Sequence, residues 1–146
     1  MSRSHSAPSK ISRFSALPLL VLALLVACTG GSSEQSEFRD HYARLHHAGD
    51  VDGLLELIEV KNSDPNILRQ VRWALEEETR WPIGHVEFKA LTEAEILRAT
   101  EILPSPPKWQ FIVTLDTDDR LTSIWYAGAT DTGEIRILLP ESREIK

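Results

Sequence analysis

At Pro82 the apolar residues of this chain change their repeat, and that change narrows the folds open to it. Before Pro82 the spacing is helical. Phe38, Tyr42 and Leu45 fall at i, i+4, i+7 and draw one stripe. Gly49 stops that helix, and Asp50 can cap the next, where Leu54, Leu55, Leu57 and Ile58 form a broad apolar face before Lys61-Asn62. A third helix starts at "SDPN" with Pro65 in its first turn, and its stripe is Ile67, Val71, Ala74, Leu75 and Glu78. After Pro82 the period becomes two: Val86, Phe88 and Ala90 alternate with His85, Glu87 and Lys89, the pattern of a half-buried strand. Thr92 and Glu95 form a capping box for a short helix reaching about Glu101, with Leu91 and Ile96 as its staple. "LPSPPK" is a loop, because neither a helix nor a central strand accommodates three prolines. Trp109 to Leu115, Leu121 to Ala127 and Glu134 to Leu139 read as strands, and the turn formers "DTDD" and "ATDTG" between them predict an antiparallel meander. The expected class is α+β, with N-terminal helices packed on one face of a curved, mostly antiparallel sheet.

Within this order, "FRDHYARLHHAGDVDGLLELI" resembles the opening of NTF2-like (SnoaL-like, cystatin-like cone) domains, in which a first helix ends at an A-G-D step and a second follows at once. At the level of element order the resemblance covers most of the chain after residue 36. It implies a cone-shaped domain, and since members often dimerise through the sheet it carries a homodimer over as an expectation. The chain departs from the family at "DPNILRQVRWALEEE", a long helix where many members place a short strand first.

The N-terminal part is of another kind. Arg3, Lys10 and Arg13 precede an apolar run from Ala16 to Ala27 with no acid before it, the layout of a secretory signal. Twelve residues are too few to span a bilayer as a helix, which takes roughly 20. The run ends in Leu25-Val26-Ala27-Cys28, which resembles the lipobox of bacterial lipoproteins, where the signal is cut before a cysteine that carries the lipid. Cys28 is the only cysteine of the chain, so it has no disulfide partner within it. The resemblance implies acylation of Cys28, palmitate included, and attachment to the membrane through that lipid. Thr29 follows the cysteine in place of the Asp that marks inner-membrane retention, which implies an outer-membrane anchor with the domain in the periplasm. The chain then divides into a signal peptide (1–27), a lipidated flexible tether (28–36, "CTGGSSEQS") and a single domain (37–146).

Charge removes one class of partner. Loss of residues 1–27 takes away three of the 16 basic side chains and none of the 22 acidic ones, leaving a formal net charge of -9. With no Lys/Arg cluster to neutralise phosphates, nucleic acid is excluded.

Few residue groupings carry chemistry. His41 and His46 lie about 140° apart on a helix, and no histidine pair has the i, i+4 spacing that shares a metal, so neither a metal nor a cofactor is expected. His46 and His47 read as solvated helix-end residues, favoured there by the helix dipole when protonated. His85, Glu87 and Lys89 share one face of a strand, and an acid/base pair of His85 and Glu87 inside a cone would be the enzyme reading. A strand's ordinary solvated face has the same alternation. The pattern favours a non-catalytic module that binds a small ligand or an envelope protein through the sheet's concave face, with His85, Glu87, Trp73 and Trp81 as candidate ligand-binding residues and with His85 and Glu87 neither hydrogen-bonded to one another nor enclosed. Trp109 and Trp125 alternate in phase with the apolar strand positions and belong to the core. Trp73 lies off its helix's apolar stripe and Trp81 adjoins Pro82, which makes these two the candidate ligand-contacting aromatics. "DTDD" lacks the glycine and distal glutamate of a calcium loop. The sequence also has no Gly-rich phosphate loop and no G-x-S-x-G elbow.

Overall fold

The computed structural model describes residues 32–60 and 63–141; the signal-like run and Cys28 lie outside the described residues. In chain order the elements are α1 (Ser33–Ala48), α2 (Val51–Glu56), β1 (Ile58–Glu59), α3 (Pro65–Glu78), β2 (Ile83–Ala90), α4 (Glu93–Thr100), β3 (Trp109–Leu115), β4 (Thr122–Ala129) and β5 (Ile135–Leu138). The architecture is α+β, with N-terminal helices packed on a five-stranded, mostly antiparallel and at most slightly curved sheet.

The helix boundaries follow from their caps. Ser32 accepts the Gln35 N–H, Glu34 stands in the first turn where the helix dipole favours an acid, and Gln35 is buried. Helix α1 therefore begins four residues before Glu37 and takes up the second half of the stretch expected to be a tether, 28–36. A local hydrogen-bonding cap outweighs the low apolar content of "SSEQS". At the other end Gly49 adopts φ +67°, and its N–H reaches the carbonyls of His46 and Leu45. Asp50 then caps α2 at Gly53 N–H, 2.9 Å away. Asp64 and Pro65 start α3, and the Thr92/Glu95 capping box starts α4 as its sequence implies.

One expected helix is shorter than its apolar run. Leu57 and Ile58 do not extend α2: the chain turns at Leu57, and Ile58-Glu59 forms β1, parallel to β5 with Ile58 opposite Ile137. A two-residue strand is too short to show an alternation, while its Ile58 is as apolar as a helical stripe. A short strand thus precedes the long helix of "DPNILRQVRWALEEE".

The sheet order is β1-β5-β4-β3-β2, and the last three strands in sequence form the meander that their turns predict. Phe111, Val113, Leu115, Ala127, Ile135 and Ile137 point to the covered face, where they meet Phe38, Tyr42, Leu54, Ile58, Val71 and Leu75 from the helical side. Trp109 and Trp125 pack against this core from its margin. Phe38 and Tyr42 of α1 both set their rings edge-on to Phe111, with centroids 5.2 and 4.9 Å away, and Phe88 of β2 closes the cluster. On the opposite face a smaller group of Ala99, Leu103 and Leu138 with Tyr126 covers one end of the sheet. Beyond it the second face is open, and Ile124 is 61 % exposed.

Truncation of Phe38 to Ala removes a ring buried against two others and should cost about 3 to 5 kcal/mol. Glu76→Ala on the exposed side of α3 should stay within about 0.5 kcal/mol of wild type. Urea denaturation followed by circular dichroism measures both, and equal costs would mean that α1 does not seat on the sheet as described.

Candidate functional site

The histidine and carboxylate on β2 occupy the open face. β2 is the outermost strand and pairs only with β3; Val86 and Phe88 stand opposite the core residues Val113 and Phe111, and His85 and Glu87 point to the other side, where both are exposed. His85 Nε2 and Glu87 Oε2 stand 3.7 Å apart with both side chains more than half exposed. That separation is too long for a hydrogen bond, and water screens the pair. Their cross-strand neighbours on this face are Thr114 and Ile112, with Ile124 beyond.

A second polar group links α1 to the end of α3, and it is sealed. Glu78, 5 % exposed, accepts a hydrogen bond of 2.6 Å from the Tyr42 hydroxyl through Oε1. His46, 3 % exposed, holds Nε2 at 3.6 Å from the same oxygen and stacks on the Tyr42 ring. At that distance Nε2 makes no hydrogen bond, and it is buried with no partner among the described residues. His46 is thus not the solvated helix-end residue its position suggested. It lies one turn beyond Tyr42, on the side of α1 that faces α3, while His47 points outward and is exposed. The sequence carried both signals: Glu78 ends the apolar stripe of α3, and His46 is i+4 from Tyr42. Burial pushes the His46 imidazole below its ordinary range, against the pull of Glu78. The Tyr42 phenol is raised well above its ordinary value by burial and by Glu78.

Beside this sealed group the surface has a hollow of about 480 Å³. The last turn of α1 contributes Ala43, His46 and His47, and the segment leaving α3 contributes Thr79, Arg80, Trp81, Pro82 and Ile83. Trp81 is 49 % exposed. It ends where a helix gives way to an edge strand, and Pro82 prevents that helix from extending over the hollow. Arg80 at the rim is held by Glu77, 3.0 Å away. The structure therefore brings Trp81 to a hollow but leaves His85 and Glu87 elsewhere. Trp73, 64 % exposed, stands on the outer side of α3 and does not line this hollow.

Among the described residues no three His, Cys, Asp or Glu side chains are placed to hold a metal, and no helix is long and apolar enough to cross a membrane. No protein-family model matches the chain, and no curated protein or solved structure is similar to it beyond chance.

Two outcomes test the sealed group. Tyr42→Phe leaves a buried carboxyl without its donor and should cost about 1 to 3 kcal/mol in a urea melt. Glu78→Gln, which keeps an acceptor, should cost less. The pH dependence follows from the lowered imidazole. The unfolded chain takes up a proton on His46 at the ordinary value of 6.5, whereas the folded chain resists it. Stability contributed by neutral His46 is therefore complete above 6.5 and falls with pH until the lowered folded value is reached. Urea midpoints of wild type minus those of His46→Gln should shrink across that acidic window. A difference that is flat or grows on acidification would contradict the burial of a neutral ring.

Proposed function

We propose that the chain is an exported bacterial lipoprotein, anchored through acylated Cys28 at the outer membrane, whose NTF2-like domain serves in the periplasm as a non-catalytic binding module. Its ligand is a small molecule or a group on an envelope protein, and its binding site is the hollow between the ends of α1 and α3. The observation that carries this reading is Trp81, half-exposed at a concave wall that also offers Pro82, Ile83 and Ala43. An aromatic ring next to apolar side chains in a hollow is a binding surface by its chemistry, because covering it releases water from apolar area. The acid/base alternative finds less support. His85 and Glu87 face open solvent, and the Tyr42–Glu78–His46 group has its polar atoms turned inward, so neither offers a reacting group to an enclosed substrate.

The test has two readouts on the same protein. Cells fed labelled palmitate should label the wild-type chain and not Cys28→Ser; absence of label from wild type removes the anchor. Anilinonaphthalene sulfonate, an aromatic anion, should brighten with the purified wild type and lose at least half of that signal with Trp81→Ala, while both proteins keep the same near-UV circular dichroism. Undiminished dye binding in Trp81→Ala would place the binding surface elsewhere.

A further inference from the structure

The early start of α1 leaves little chain between lipid and domain. Cys28 stands four residues before the Ser32 cap, and four extended residues reach at most about 14 Å. Helix α1 then runs for 16 residues, and His46, in the wall of the hollow, lies about 21 Å along its axis from Ser32.

The two ends of α1 belong to opposite poles of the domain. At its start, Glu34, Glu37 and Phe38 share a small depression with Gly133 and Glu134 of the β4–β5 turn. At its finish, Ala43, His46 and His47 share the larger hollow with residues 79–83, and the Asp116 N–H of the β3–β4 turn bonds to the Pro82 carbonyl at 2.8 Å. For the hollow to meet the bilayer to which Cys28 is attached, the domain must turn over. That would lift Ser32 about 21 Å above the lipid, more than the roughly 14 Å the leash allows. Lying flat on α1 is no better supported. Apart from the methyl group of Ala48 at its end, the exposed side chains of α1 are polar or charged, with nothing large and apolar to sink into the headgroups.

We infer that the leash seats the domain with the α1 N-terminal pole toward the bilayer and the Trp81 hollow turned into the aqueous space, so that its ligand arrives from water and is not drawn out of the membrane. This rests on the reading of Cys28 as the lipid site. It also separates Trp81 from interfacial tryptophans, which sit at headgroup level.

Acylation consumes the only native thiol, so a cysteine placed at Thr132 in the β4–β5 turn or at Asp118 in the β3–β4 turn can each be labelled alone with a nitroxide. The full chain, purified from membranes, is reconstituted into phosphatidylethanolamine/phosphatidylglycerol vesicles containing a nickel-chelating lipid, and spin relaxation is read. The label at Thr132→Cys should be relaxed at least ten times more strongly than that at Asp118→Cys. Insertion of ten Gly/Ser residues between Gly31 and Ser32 should bring the ratio close to one. Equal relaxation at both sites with the native leash, or stronger relaxation at Asp118→Cys, overturns the orientation. The mass of the N-terminal fragment from the same sample separates the two readings: acyl mass present with equal relaxation defeats the orientation alone, and acyl mass absent defeats the anchor and the orientation together.

Discussion

Tyr42 is the point at which the helical layer is tied to the sheet. Its ring stands edge-on to Phe111 of β3, and its hydroxyl donates to Glu78 at the end of α3. One fully buried side chain thereby fixes α1 against β3 by shape and against α3 by a hydrogen bond. Much else depends on that arrangement. With α1 and α3 held at their C-terminal ends, the chain leaving α3 is directed past His46 into Trp81 and β2, and the hollow forms between the two ends.

The polar cost of this junction is met unevenly. Glu78 receives a donor from Tyr42, but His46 reaches the same oxygen only at 3.6 Å and its Nε2 is left without a partner. An uncharged imidazole tolerates such a place better than an imidazolium would, because an unpaired buried charge costs far more than an unpaired neutral group. Burial therefore selects the neutral ring, and the C-terminal end of α1 presents outward only His47 as a group able to answer the helix dipole.

Much of this was legible in the chain, for identifiable reasons. The apolar stripe through Phe38 and Tyr42, the alternation through Val86 and Phe88, and the capping box at Thr92 are local patterns, and local hydrogen bonding with one-sided burial is what sets them. β1 was not legible, since Ile58 and Glu59 are strand only because Ile137 and Leu138 lie beside them. The start of α1 is hidden by a composition that suggests a loose tether, whereas Ser32 supplies a cap and Gln35 is buried. The exposure of Trp73 and Trp81 followed from their places off the apolar stripe and beside a proline. The sealed group is hidden for a different reason: His46 and Glu78 are 32 residues apart, and neither helix alone shows that they meet, although each stands in phase with a buried residue of its own helix.

The two lateral borders of the sheet are unequal. β2 ends it with eight residues, interrupted by a bulge between Ile83 and His85, while β1 ends it with two. Backbone-to-backbone growth from molecule to molecule needs a usable border on each side, one to accept a neighbour and another to pass the pairing on. A border of two residues gives a newcomer almost no ladder to extend. Pairing through the β2 border therefore joins two copies and finds no second border of comparable length from which to continue into a fibre.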